Sequence, residues 1–515
     1  MTGLRRLRLS GTAVLVVAAS AFSFGQQRSS AQLQTGDAGN KPEMRMTQSQ
    51  AKELFASVDT IMQFASDDSQ LAIKSRVKRR LTSRDAVEKY LVDKMKDDKD
   101  AKRLERSEIV LKKFGLLDQD FHLQPFLVSL LKEQIAGYYD SKTKTVNLLD
   151  WIDPDTQKPV LAHELTHALQ DQRVNLETWE DSTDEDLSHN VTEDNQHIAT
   201  DEQDTAREAA LEGQAMAVLV DYSLKPVGQS ILSNPDLVKD RADEQTADSD
   251  SPVLERAPLL LQEALLFPYR DGLKFEIDLL KDKGAAGAFG GVLDRPPATS
   301  FEIMNPPAYE ARVKVPLLKM PDLHPVLDGD YAPYDIGVMG QLDVRILAEL
   351  FGGPEKAGAF TKAWDGGIYY AVQKKSAPDK GSTASISLLY LSQWKSPEVA
   401  AGFAKMYADE LGRQYSGVKR DADAESDANE QIYKTNEGPV LIAITGNTVF
   451  VSESFDLNLA RKLEFLMLGA QQGAGQGQAI ALAGTGRALT GSMVNFFAGC
   501  GLMRAAIPHG AARLY

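Results

Sequence analysis

The chain has 515 residues, 43% of them hydrophobic and 25% charged, and a formal net charge of −16. That length exceeds one hydrophobic core and predicts two or three domains, while the composition excludes both a disordered chain and a membrane bundle. The acidic balance argues against nucleic acid as a partner, and the single cysteine, Cys500, excludes an intrachain disulfide, which leaves histidine and carboxylate to ligate any metal.

Arg5, Arg6 and Arg8 precede an apolar run from Thr12 to Phe24 that ends in Ser29, Ser30 and Ala31. This is the pattern of a secretory signal over residues 1–31. The run is short for a spanning helix, so the expectation is export to the periplasm or the exterior, with no stable membrane span once the signal is removed. Removal takes four arginines and no acid, which leaves a net charge of −20.

Residues 32–120 form an expected helical N-terminal region. A polar lead-in over residues 32–47 is followed, from Ser49 to Lys113, by sequence rich in Ala, Leu, Lys, Arg and Glu without proline or glycine, which predicts two or three amphipathic helices. The basic cluster Lys74 to Arg80 reads as a solvated helix face, with Asp97, Asp98 and Asp100 close by in sequence.

The next region, residues 121–325, carries the chemistry. An apolar-periodic helix from Phe126 to Ile135 leads into Gly137 to Leu149, which has two β-rich arms about a polar turn and predicts a hairpin. The arm Thr143 to Leu149 is expected to offer an edge on which a peptide adds as a strand. A helix then begins near Pro159 and carries Leu161-Ala162-His163-Glu164-Leu165-Thr166-His167-Ala168-Leu169-Gln170. Residues four apart on a helix lie one turn above each other, so the two imidazoles project from one face and can share an ion. Glu164 lies about 100° around the axis, where its carboxylate serves a water rather than the metal. With seven histidines in the whole chain, a chance match to HExxH is an event of order one in a hundred.

Two histidines hold zinc poorly, so a third ligand is required. Ten residues after His163, where an extended metzincin pattern has a histidine, stands Arg173. A glutamate on a later helix is the remaining option, and Thr205 to Ala217 is the best segment. It offers Glu208 and Glu212, four apart on one face, and periodicity does not choose between them. Between Glu177 and Asp204 stand eleven acids and no lysine or arginine, read as a solvated insertion rather than a calcium site, and Asp236 to Asp250 reads as a linker. Pro296-Pro297 and Pro306-Pro307 punctuate an irregular segment.

Residues 326–470 predict a compact α+β module. Helices are expected near Ile336–Leu350, Pro354–Trp364, Pro397–Tyr415 and up to Leu468, with strands at Ile368–Lys374, Ala384–Trp394, Glu430–Thr435, Pro439–Ile444 and Thr448–Glu453. The module contains no histidine, which removes it as a source of the metal site. Residues 471–515 are a Gly- and Ala-rich tail. The fold class is therefore α+β, with a mainly helical zincin-like domain bearing a small hairpin or sheet.

HELTHALQDQ followed by a helix with EGQA resembles the gluzincins, zinc peptidases whose third ligand is a glutamate. More narrowly it is similar to exported bacterial proteins with a tyrosine-containing strand before the motif, here GYYDSKTKTVNLLD, and a Pro-Pro segment after it, here RPPATSFEIMNPPAY. The resemblance covers about residues 130–310. It implies one Zn²⁺ on His163, His167 and Glu212, Glu164 as general base, and a protein or peptide substrate. Thermolysin-like gluzincins place the ligand first and a carboxylate four residues later, which instead makes Glu208 the ligand. An oxyanion donor is expected among Tyr138, Tyr139, His197, Tyr222 and His324. Two other functions compete with peptide hydrolysis. One is a non-catalytic protein that uses zinc to hold helices together, and the other is a zinc amidase acting on cell-wall crosslinks.

Overall fold

A computed structural model describes residues 45–95, 98–179, 190–235, 237 and 252–472. The expected signal at 1–31, most of the lead-in, residues 180–189 of the first acidic stretch, most of the second, and the tail from residue 473 with Cys500 lie outside the described residues. The fold class is α+β, as the sequence predicts.

Helix α1 (Gln48–Ser69) begins at Thr47, which forms a capping box with Gln50, and buries Leu54, Val58, Ile61, Met62 and Ala65 at helical spacing. The basic cluster departs from its expected helix: Lys78–Thr82 is a strand, β1. Arg79 leaves this strand to pair with Asp59 of α1 at 3.0 Å, so tertiary contacts override the helical propensity of Lys and Arg. Helices α2 (Arg84–Met95), α3 (Asp98–Lys113) and α4 (Leu123–Gln134) follow.

The hairpin forms from β2 (Tyr138–Asp140) and β3 (Thr145–Leu149). The small sheet has the order β1-β3-β2, with β1 parallel and β2 antiparallel to β3. This corrects the expectation for Thr143–Leu149. Its strand is central, with β1 on one side and β2 on the other, and the open edges belong to β1 and β2.

Helix α5 (Pro154–Val174) carries the HExxH sequence. It starts one turn before the expected Pro159, because Asp153 accepts from the backbone N–H groups of Asp155 and Thr156 and Pro154 occupies the first turn. Pro159 lies inside the helix. The carbonyl it leaves without a helical donor is that of Asp155, in the exposed first turn, where water serves it. Helices α6 (Val191–Thr200), α7 (Gln203–Leu224) and α8 (Leu259–Ala285) complete this region, and a short π-helical stretch, Ala286–Gly291, follows α8.

Helices α7 and α8 touch backbone to backbone. A Cβ on Gly213 would stand 2.2 Å from the carbonyl oxygen of Gly272, and one on Gly272 would stand 2.1 Å from that of Ala209. Only glycine fits there, and Gly213 directly follows Glu212. Gly213→Ala must push the helices apart, so overpacking should cost about 3 kcal/mol or more. A denaturation midpoint unchanged from wild type would show that the crossing is looser than this.

The C-terminal region is a seven-stranded antiparallel sheet of order β4-β5-β6-β10-β9-β8-β7, made of β4 (Tyr331–Val338), β5 (Trp364–Lys374), β6 (Ile386–Trp394), β7 (Lys419–Arg420), β8 (Glu430–Thr435), β9 (Gly438–Thr445) and β10 (Thr448–Glu453). Its helices are α9 (Gln341–Ala363), α10 (Pro397–Asp409) and α11 (Leu457–Gln472). The helix expected from Ile336 begins instead at Gln341, after strand β4, which contains Pro333 and Asp335. Strand β4 is an edge strand with a bulge between those residues, where proline is tolerated. The two expected helices are both present, within Gln341–Ala363 and broken at Gly353, whose φ of 83° and ψ of 173° are not helical.

Both faces of the sheet are buried. Tyr369, Ala371, Leu388 and Tyr390 join a core continuous with the N-terminal helices, and Ile368, Tyr370, Val372, Leu389 and Leu391 join a second core beneath α11. Among the described residues no helix is long and apolar enough to cross a membrane.

Candidate metal centre

His163 and His167 stand on one face of α5, where Leu161, Leu165, Ala168 and Leu169 anchor the helix in the core. Their Nε2 atoms are 3.0 Å apart, and their rings meet edge to face at 80°. Glu212, from the middle of α7, places Oε2 3.0 Å from His163 Nε2 and Oε1 3.4 Å from His167 Nε2. The exposures of His163, His167 and Glu212 are 1%, 2% and 0%, so water does not separate them. Among the described residues this is the one group of three or more metal-capable side chains whose ligand atoms converge. Glu208 is buried one turn earlier on α7 and does not belong to the group.

A chain of amides fixes the tautomer of His167. The amide nitrogen of Gln214 donates to the carbonyls of Ala288 and Phe289 in the π-helical stretch, at 3.0 and 3.1 Å. Its oxygen therefore accepts from the amide nitrogen of Gln170, which also donates to the carbonyl of Leu211. The oxygen of Gln170 is left to face His167 Nδ1 at 2.8 Å, so Nδ1 carries the proton. His167 Nε2 is then an acceptor, 3.0 Å from His163 Nε2 and 3.4 Å from Glu212 Oε1.

Burial by itself pushes the Glu212 carboxyl up, but the two imidazoles beside it outweigh that and hold the group well below the usual carboxylate range. Burial lowers His163, against the opposing pull of Glu212. Holding a metal ion would require the carboxylate ionised and both imidazoles neutral. Neither oxygen of Glu212 has a hydrogen-bond donor of proper geometry. Buried acceptors that converge without donors are costly unless a cation lies among them. Two imidazole nitrogens and a carboxylate are also the ligand chemistry of zinc, so these residues fit the ion that the sequence implies.

Glu164 is 1% exposed and is not one of the three residues whose ligand atoms converge. Its Oε2 accepts from the backbone N–H of Tyr139 in β2 at 2.7 Å. Gly137 stands beside it, since a Cβ there would lie 3.8 Å from Glu164 Cγ. Tyr269 of α8, which sequence reasoning missed, stacks near His163 with ring centroids 6.3 Å apart and an interplanar angle of 29°.

The other residues expected as oxyanion donors are engaged elsewhere. The Tyr139 hydroxyl donates to Asp171 at 2.7 Å. His197 pairs with the Ile336 carbonyl at 2.9 Å, and His324 lies between Asp194 and Asp328 at 3.2 and 3.4 Å. Tyr222 packs edge-on against Phe64. Tyr138 is buried in β2 on the sheet face opposite Tyr139. Gln170 and Gln214 also escaped the sequence reading. Only Gln170 carried a signal, since it lies three residues after the second histidine on the same helix face. No family model, no curated protein and no solved structure matches the chain.

Proposed function

We propose that this chain is an exported zinc-dependent peptidase in which His163, His167 and Glu212 hold the metal and Glu164 is the general base. The observation that carries the reading is the convergence of three buried acceptor groups, with the buried Glu164 directly after His163 on the same helix and outside that group. Closed structural zinc sites use four protein ligands and often cysteine. Three ligands leave a position open, which favours catalysis over a purely structural site.

A bound zinc supplies Lewis acidity here, acidifying a water toward a pKa of about 7 and polarising a carbonyl. The chain's own residues do the rest. The Gln214–Gln170 pair holds the His167 tautomer, so that Nε2 presents its lone pair. Glu164 takes the proton of the attacking water and delivers it to the leaving amine, the role of a positioned carboxylate at hydrogen-bond reach. Burial of the triad keeps bulk water from competing for the ligand atoms.

Metal removal tests this. The purified chain should contain about one zinc per molecule. It should cleave casein, lose that activity on dialysis against a chelator, and regain it with zinc. Cleavage of purified cell-wall crosslinks but not casein would favour the amidase reading instead. Zinc present with no hydrolysis of either substrate would leave a structural zinc protein.

A further inference from the structure

The hairpin does more than line the site. Tyr139 is attached at both ends: its N–H donates to Glu164 Oε2 at 2.7 Å, and its hydroxyl donates to Asp171 Oδ2 at 2.7 Å. Asp171 lies on the same helix as Glu164, seven residues or two turns further on, and is 4% exposed. Its other oxygen accepts from Lys144 Nζ at 2.9 Å and from the backbone N–H of Leu176 at 3.1 Å. Lys144 stands in the hairpin turn with φ of 54°, a left-handed conformation that a lysine adopts only where contacts hold it. The hairpin is therefore fastened to α5 twice, by the Tyr139 ring and by the Lys144 ammonium, both on one carboxylate.

We infer that Tyr139, Asp171 and Lys144 are positioning residues for the general base: they hold β2 so that the Tyr139 N–H fixes the Glu164 carboxylate in its working orientation. The kinetic part of this inference rests on the peptidase reading; the structural part does not. The physical reason is geometric. Glu164 hangs on a side chain with three rotatable bonds, and general-base efficiency depends on placement within a fraction of an ångström. Helix α5 fixes only its Cα. A backbone donor on a rigid strand fixes the carboxylate, provided the strand itself cannot slide. Tyr139 and Lys144 supply that constraint from the two sides of the hairpin turn, and Asp171 serves both from α5.

The test compares Tyr139→Phe, Lys144→Met and Lys144→Arg with wild type at equal zinc content. Amide hydrogen exchange at Tyr139 should speed up about tenfold in Tyr139→Phe and Lys144→Met and return toward wild type in Lys144→Arg, with zinc content unchanged in all three. With a casein-derived peptide, kcat should fall about tenfold in the first two variants at a KM within about twofold of wild type, and Lys144→Arg should restore it. A merely structural role predicts no such split and no selective rescue. Unchanged Tyr139 exchange in both Tyr139→Phe and Lys144→Met overturns the inference, and so does faster exchange with an unchanged kcat. If wild type cleaves no peptide, the peptidase reading fails on its own account, and the exchange measurement alone then supports or overturns the brace.

Discussion

Glu164→Gln should keep one zinc per chain and lose hydrolysis by about 10² to 10⁴, roughly 3 to 5 kcal/mol of barrier. The substitution is nearly isosteric, and the glutamine oxygen can still accept from the Tyr139 N–H that Glu164 Oε2 now accepts from at 2.7 Å. The local fold therefore has no reason to change. What glutamine cannot do is take a proton. The triad of His163, His167 and Glu212 does not include residue 164, so metal content should be insensitive to the change. Comparing rates at equal zinc occupancy separates lost chemistry from lost metal. A variant that keeps its zinc and cleaves at the wild-type rate would remove Glu164 as the base. A zinc site that only holds helices together has no hydrolysis to lose.

The legible parts of this protein are those where one residue spacing has one physical consequence. HExxH at helical pitch fixes two imidazoles on one face and a carboxylate to the side, and the structure places all three in that relation. The alternating strands of the C-terminal region were equally legible, because buried residues recur in runs bounded by turns such as Gly446-Asn447. The illegible parts are those decided by distant residues. Strand β1 has the composition of a solvated helix and becomes a strand because β3 lies beside it and pairs with it in parallel. Strand β4 contains residues that break a sheet interior, and it survives because it stands at the edge. The start of α5 shifted by one turn because Asp153-Pro154, a local cap, outcompeted a proline one turn later.

The same distinction explains the amide relay. A glutamine in a helix has many uses, and nothing in the sequence around Gln170 or Gln214 says that they meet. Only the crossing of α5 and α7 brings the two amides to 2.9 Å, and only the π-helical stretch after α8 orients them. The glycine pair explains the second crossing. Gly213 lets α8 approach α7 backbone to backbone directly beside the ligand position, so the residue after Glu212 and the residue it meets on α8 are constrained together.

Glu212→Gln should weaken zinc binding far more than Glu208→Gln, a difference readable in zinc affinity by competition with a chromophoric chelator. Periodicity leaves the two acids equivalent, since both face the same way from α7. Geometry does not: Glu212 reaches both Nε2 atoms at 3.0 and 3.4 Å, while Glu208 stands outside the converging group. An amide at position 212 removes the one negative charge among the ligands. It also turns a donor NH₂ group, or one neutral oxygen, toward a His167 Nε2 that the relay through Gln170 keeps as a lone pair. Loss of a ligand and its charge should therefore exceed the 10- to 100-fold that removing an outer-shell partner typically costs. Glu208→Gln should stay at or below that range. Both variants should be checked for wild-type helical content before their affinities are compared, because residues 208 and 212 are both buried against neighbouring helices. The reverse order, with Glu208→Gln releasing zinc and Glu212→Gln retaining it, would assign the ligand to the earlier position, as in the thermolysin-like arrangement, and would require α7 to slide by about one turn, roughly 6 Å, when the ion binds.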